Sequence, residues 1–370
     1  MGEQIDILTD ESIGLLKKLI SIPSFSKEED KTAEAIFSFL DSHQANPYRI
    51  GNNVFALSKN FDPEKPVVLL NSHHDTVKPN KGYTLNPFDP LEKDSKLFGL
   101  GSNDAGGALV SLIAAFLFYS GREDLKYNLV IATTAEEEIS GKDGIEMLLK
   151  NEEFLKLTHN NNTQLFKAWT AIVGEPTLLQ MAIAERGLMV LDCIANGVAG
   201  HAAREEGENS IYIAIKDINW FQSYKFDKVS DLLGPVKMSV TVIETDNKAH
   251  NVVPAQCKYV VDVRVNELYG FQEVLDTIGK NVKSEVVPRS TRLRSTSISL
   301  DHPLVKAGIG LGRSYYGSPT TSDKALMPFP ALKIGPGDSA RSHSANEYIF
   351  VDEIRDGVST YIRLLEKILL

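Results

Sequence analysis

Short, wholly apolar runs alternate with helical periodicities through the first half of the chain. Pro66-Val67-Val68-Leu69-Leu70-Asn71, Leu129-Val130-Ile131-Ala132-Thr133-Thr134 and Ala171-Ile172-Val173-Gly174 are the clearest runs. Each reads as a buried strand, because a strand covered on both faces loses the polar alternation of a half-exposed one. Helices fall between them. In residues 10–20, Ile13, Leu16 and Ile20 recur at helical spacing, with Asp10 placed to cap, and Ile22-Pro23-Ser24 stops the pattern. Ser26-Lys27-Glu28-Glu29 has the spelling of a capping box for a second helix with Ala33, Ile36, Phe37 and Leu40 on one face. Residues 105–118 form an apolar, Gly/Ala-rich helical stretch. Strands alternating with helices predict an α/β domain with a mostly parallel central sheet.

The texture changes around Arg186. Residues 188–195, 237–245 and 257–265 are strand-like, and residues 210–222 and 271–283 are helical. Strand–helix units of this kind predict a small α+β domain inserted into the first. Residues 288–299 look like the return, and Ile354, Val358, Ile362 and Leu365 mark a closing helix. The expected divisions are 1–186 and 290–370 for a split first domain and 187–289 for the insertion.

Composition narrows the partners. With 370 residues there is room for two domains and a large core. A net charge of −10 without a basic stripe argues against nucleic acid. Cys193 and Cys257 both lie in apolar runs outside any CxxC spacing, as reduced core thiols do. No basic segment followed by an apolar one opens the sequence, and no apolar run is read as a span of about 20 residues. A soluble cytoplasmic protein without a membrane partner is expected.

The candidate chemistry is a series of acids and histidines in fixed order. His73 and Asp75 sit in Asn-Ser-His-His-Asp-Thr-Val, and Asp104 lies in Gly-Ser-Asn-Asp-Ala-Gly-Gly. Glu136, Glu137 and Glu138 follow one strand, Glu175 follows another, and His343 falls in Asp-Ser-Ala-Arg-Ser-His-Ser-Ala-Asn-Glu. Several of these positions lie just past strand ends, where open α/β sheets place ligands. Imidazole and carboxylate donors without thiolate suit Zn²⁺ or a similar first-row ion, and one carboxylate can bridge two ions. No Gly-x-Ser-x-Gly elbow supports a serine hydrolase. Gly308-x-Gly-x-Gly312 has no preceding strand, which makes it poor evidence for a nucleotide site.

Order, spacing and flanking residues together resemble the M20 family of di-metal amidohydrolases and peptidases over nearly the whole chain. Within that family the likeness is greatest to acetylornithine deacetylase and its desuccinylase relatives. The resemblance implies a zinc-peptidase-like catalytic domain with an inserted ferredoxin-like domain serving dimerisation and as a lid. It implies two divalent ions, Zn²⁺ first and Co²⁺ or Mn²⁺ as substitutes. His73 and Glu175 would hold one ion, Glu138 and His343 the other, with Asp104 between. Asp75 would orient the His73 ring, and Glu137 would be the general base. The family's arginine, methionine and lysine around the bridging aspartate are missing from Gly99–Gly107, so their roles do not carry over. The bond from Asp104 to Ala105 is expected to be cis, as in M20 relatives.

By the same resemblance His201, in Gly-Val-Ala-Gly-His-Ala-Ala, would steady the oxyanion in the partner subunit's site of a homodimer. Asn251 and Arg264 match motifs associated with substrate contacts. Arg186 and Arg341 are further candidates for a substrate carboxylate, since guanidinium pairs with it bidentately; a structural ion pair is the alternative for either. The implied activity is hydrolysis of a small N-acyl amino acid, on the acetylornithine side and in arginine biosynthesis. N-acetylcitrulline or N-succinyl substrates and di- or tripeptides are the alternatives. A non-catalytic binding descendant would be expected to lose a ligand or the base, and all are present.

Overall fold

The computed structural model describes residues 2–159, 166–204 and 206–370. They form two compact units: Met1–Ile183 with Ile298–Tyr316 and Ser322–Leu370, and Ala184–Ser297 with Gly317–Thr321.

In the first unit four strands run parallel in the spatial order Asn128–Thr134, Val67–His73, Trp169–Val173, Ala331–Lys333. Asn53–Leu57 and Tyr48–Ile50 extend this sheet antiparallel on one side. The apolar runs are explained by covering on both faces. Val68, Leu70, Leu129 and Ile131 pack into a core with the helices Gly2–Ile20, Gly107–Tyr119 and Val351–Leu369. Their alternates Val67, Leu69, Val130 and Ala132 pack on the other face with Ile145, Leu148, Phe154 and Trp169. Successive residues of a strand point to opposite faces, so two buried faces need an unbroken apolar run. Residues Ser102–Tyr119 are long and apolar enough for a membrane span, contrary to the reading of the sequence. That stretch is 83% buried inside the protein and ends in the core helix.

The second unit has the chain order strand Gly187–Asn196, helix Ser210–Ser223, strands Lys237–Thr245 and Gln256–Val265, helix Phe271–Gly279, strand Glu285–Pro288. Its antiparallel sheet is ordered Lys237–Thr245, Gln256–Val265, Gly187–Asn196, Glu285–Pro288. This is the split βαββαβ, ferredoxin-like pattern. Cys193 and Cys257 are buried and free in its core.

Three local expectations change. The first helix begins at Gly2, not at Asp10; the buried Leu8 and partly buried Ile5 continue its apolar face by one and two turns. Helix Phe271–Gly279 stops short of residue 283 because the N–H groups of Lys283 and Ser284 turn to the Asp217 carboxylate. The capping box does not form: helix Asp30–Ser42 has no side-chain cap. Ser26 Oγ donates instead to Asp75 Oδ2 at 2.7 Å.

Leu70, in the central strand, has no exposed surface. Leu70→Ala is expected to cost about 2–5 kcal/mol. Urea unfolding should show a lower midpoint with an unchanged slope; an unchanged midpoint would contradict this packing.

Candidate metal centre

Three parallel strands deliver site residues from the same sheet edge. His73 ends Val67–His73, Glu136 to Glu138 follow Asn128–Thr134, and Glu175 follows Trp169–Val173. Parallel pairing forces this, since parallel neighbours share their C-terminal edge.

Asp75 organises one side. Its Oδ1 is 3.3 Å from His73 Nδ1 and accepts the Glu137 N–H at 3.0 Å. Its Oδ2 accepts the Glu138 N–H at 3.1 Å. Burial opposes its charge, but the bonds from His73, Ser26 and Glu138 hold the carboxyl below its ordinary range. The Asp75 carbonyl also lies 3.1 Å from His73 Nδ1. His73 Nδ1 is thereby engaged, while the buried Nε2 has no hydrogen-bond partner.

Asp104 stands between the two histidines. Its Oδ1 is 3.5 Å from His73 Nε2, and its Oδ2 is 3.5 Å from His343 Nε2. The peptide bond to Ala105 is cis. Glu175 Oε1 lies 3.9 Å from His73 Nε2, and Glu138 Oε2 lies 2.9 Å from His343 Nε2. Two groups result, His73–Asp104–Glu175 and Asp104–Glu138–His343, each with donor atoms within 4.8 Å of one another. An orphaned imidazole nitrogen facing carboxylates, beside a second such group, fits two divalent ions sharing Asp104.

The charges agree with that fit. Burial works against protonation of His73, yet Asp104, Asp75, Glu137 and Glu175 carry its pKa well above the ordinary value. The Glu138 hydrogen bond, with Asp104 and Glu347 nearby, pushes His343 up to about 9. Burial and the carboxylates of Glu175, Asp323 and Glu138 raise Glu137 well above its usual value, against the pull of His73.

The other predicted site residues divide. His201, Asn251, Arg264 and Arg186 belong to the second unit. There the exposed His201 pairs with Val252 in a short ribbon, and the Ala202 N–H donates to the Asn251 carbonyl at 3.1 Å. Arg264 makes a two-point pair with Asp262 at 2.8 and 3.0 Å. Arg186 is buried and donates to the Leu233 carbonyl. Burial, then the Arg264 charge, lowers its pKa. Arg341, in the first unit, pairs with Glu353 at 2.7 Å and lies over the rings of Tyr348 and Phe350. That is the ion-pair alternative.

Sequence reasoning missed the residues that hold the ligands in place. The Glu347 carboxylate accepts the N–H groups of Asn103 and Asp104 on Oε1 at 2.8 and 2.9 Å, and of Gly101 on Oε2 at 3.1 Å. Burial and Asp104 push it up to about 8. Asn346 Oδ1 accepts the Thr84 and Leu85 N–H groups, and Asn80 donates to the His343 carbonyl. Asp323 is buried against the Thr134 hydroxyl at 2.7 Å, and burial raises it to about 6. Glu347 and Asn346 stand within four residues of His343; nothing in the spelling shows that their side chains turn back onto other segments.

Residues 69–367 match peptidase family M20/M25/M40. The chain belongs to this family of metal-dependent hydrolases. It is 28% identical over 382 residues to a succinyl-diaminopimelate desuccinylase of Zymomonas mobilis, covering 94% of this chain and 96% of the relative. In fold it is similar to an M20 metallo-carboxypeptidase from Sulfolobus solfataricus, with a TM-score of 0.73 at 16% identity over 96% of this chain and 98% of the other. A dinuclear metal-binding M20 peptidase from Bacillus subtilis gives 0.72 at 16% identity, with 98% of each chain covered. These names do not carry the acetylornithine expectation; the curated relative named here is a desuccinylase.

Below about pH 9 the metal-free His343 carries a proton that an incoming ion must displace, and the carboxylates around His73 favour its protonated form as well. Binding of Zn²⁺ at pH 7 should therefore release protons, and apparent affinity should rise with pH towards about 9. Calorimetry in two buffers of different ionisation enthalpy measures this; buffer-independent heats would contradict the charge state.

Proposed function

We propose that this chain hydrolyses the amide bond of a small N-acyl amino acid, with N-succinyl amino acids such as N-succinyl-diaminopimelate as the first class to test. The carrying observation is Asp104 shared by two donor groups with the half-buried Glu137 beside them. Extended similarity to a desuccinylase supports the acyl group. N-acetylornithine and N-acetylcitrulline are the second reading, and di- or tripeptides the third.

His73, Glu175 and Asp104 would hold one ion, and Asp104, Glu138 and His343 the other; Zn²⁺ is the ion proposed, with Co²⁺ or Mn²⁺ as substitutes. Such ions supply Lewis-acid polarisation of an acyl carbonyl and acidify water near neutral pH. Glu137 takes the proton of the attacking water and passes it to the leaving nitrogen, for which a raised carboxylate pKa suits it. Asp75 holds His73 by Nδ1, which would leave Nε2 free to hold an ion. Arg186 and Arg264, with Asn251, are the proposed anchors for substrate carboxylates. The Arg186 guanidinium, depressed by burial and then by the like charge of Arg264, gains from an anion brought beside it. Arg264 and Arg341 already pair with the carboxylates of Asp262 and Glu353, which leaves Arg186 the anchor to test first.

His201 is proposed as an oxyanion donor from the partner in a homodimer formed by the second unit. Lys237–Thr245 is an edge strand, with Val242 49% and Ile243 53% exposed, and helix Ser210–Ser223 exposes Tyr212 at 66%. An open strand edge next to exposed apolar side chains suits pairing with a second copy. A cytoplasmic location goes with this reading and with the two free thiols.

Glu137→Gln should keep its ions and lose about 10²–10⁴ in turnover, whereas Glu138→Gln should first lose metal. Elemental analysis beside a deacylation assay over N-succinyl, N-acetyl and dipeptide substrates separates them. Exchanged behaviour would shift the register along the triple glutamate, and activity on dipeptides alone would overturn the acyl reading. Mixing inactive His201→Ala and Glu137→Gln subunits should recover part of the activity. Mixed dimers that stay inactive would place His201 outside the partner's site.

A further inference from the structure

Glu29 has no exposed surface and no role in the chemistry above. It lies where a helix N-cap is expected, just before Asp30–Ser42, yet its side chain does not cap that helix. Its Oε1 accepts the Lys27 N–H at 2.7 Å and the Glu136 N–H at 3.2 Å, and its Oε2 accepts from Asn52 Nδ2 at 2.9 Å.

The Glu136 bond completes a pattern. The N–H groups of Glu136, Glu137 and Glu138 are consecutive, and all three donate to carboxylates from distant segments: the first to Glu29, the others to Asp75. Glu136 has a left-handed backbone with φ 57°, which a residue with a side chain adopts only when neighbours hold it. Gly141 donates its N–H to the Glu136 carbonyl at 2.8 Å. A Cβ on Gly141 would meet the Glu136 carboxylate, so that side chain is folded over the glycine. The turn is wedged from within and tied from outside on two sides.

The same carboxylate reaches the other ligand segment. Asn52, which donates to Glu29, offers its carbonyl to His74 Nε2 at 2.9 Å. His74 Nδ1 and the Glu29 carbonyl lie 2.9 and 3.0 Å from the Thr32 hydroxyl, whose one proton serves one of them at a time. The Asn52 carbonyl can only accept, so His74 Nε2 carries the proton of that bond. Through Asn52, and beside Thr32, Glu29 thus reaches the residue next to His73 as well as the turn that bears Glu137 and Glu138.

We propose that Glu29 is a positioning residue for hydrolysis: its buried carboxylate, opposite Asp75, fixes the turn that aims Glu137 at water and Glu138 at the second ion. This rests on the roles given above to Glu137 and Glu138. What the turn needs is an acceptor oxygen at a fixed reach, and negative charge is incidental. Glu29→Gln keeps one such oxygen for Lys27 and Glu136 and gives up the Asn52 bond, since the Asn52 oxygen is held by Arg49 at 3.1 Å. Glu29→Asp keeps the charge but withdraws it by about 1.5 Å, one carbon–carbon bond. Glu29→Ala removes the acceptor.

The test uses the full chain, with calorimetric titration of Zn²⁺ into metal-free protein, kcat and KM on an N-acyl amino acid, and thermal melting. Glu29→Ala and Glu29→Asp should bind the first ion as the parent does. The second ion should bind about 10–100-fold more weakly, as losses of outer-shell partners do, and kcat should fall with KM little changed. Glu29→Gln should stay near the parent in both readouts. If Glu29→Ala fails to fold, the Asp and Gln variants carry the comparison. Glu29→Gln as damaged as Glu29→Asp, unaltered second-ion binding in Glu29→Asp, or equal loss of both ions would overturn the proposal. A parent inactive on every N-acyl amino acid would defeat the substrate reading instead, leaving the Zn²⁺ titrations to decide the role of Glu29.

Discussion

Asp104, Glu137, Glu138 and Glu175 converge from separate chain segments around the imidazoles of His73 and His343. Carboxylates held this close, partly out of water, repel one another and strain against desolvation unless cations stand among them. In the metal-free protein only protons can serve, which is why His73 and His343 hold theirs tightly and Glu137 is driven towards neutrality. Divalent ions satisfy the same demand with more charge. The fold's task is to keep these groups together despite their repulsion.

That task is divided between hydrophobic packing and a layer of polar anchors. Three parallel strands, covered on both faces, fix the C-terminal edge from which His73, the triple glutamate and Glu175 emerge. The anchors then set direction. Asp75 holds the His73 ring and two backbone amides, Glu347 holds three amides around Asp104, and Asn346 with Asn80 holds the segment of His343. A carboxylate bonded to backbone N–H groups is rigid because the amides cannot rotate away. The inner ligands thereby keep their geometry without having to supply it themselves.

How much of this could be read from the sequence follows from its physical range. The central strands were legible because two covered faces impose an unbroken apolar run, as in Val67–Leu70. The metal-ligand candidates were legible through donor chemistry, the strand-end placement of His73, Glu138 and Glu175, and the family resemblance, which alone supplied the roles of Asp104 and His343. Ser26 and Glu29 show where reading fails: their spacing spells a local cap, yet Ser26 bonds Asp75 and Glu29 bonds Glu136. Local spelling gives no sign of a partner 107 residues away. Glu347, separated from Asp104 by 243 residues, was hidden for the same reason. Arg341 could be read as an anchor or as an ion pair, and only its distance to Glu353 distinguishes the two. Acyl-group choice lay furthest out of reach, since no residue read from the sequence is tied to the acyl group.

The central claim is that Asp104 is shared by two ions. Crystals of the Zn²⁺-loaded protein, measured at wavelengths on either side of the zinc absorption edge, test it most directly. The account predicts two anomalous peaks per chain, one against His73 and Glu175 and one against Glu138 and His343, with one Asp104 oxygen on each. A single peak, or a pair that leaves Asp104 outside both coordination shells, would contradict it.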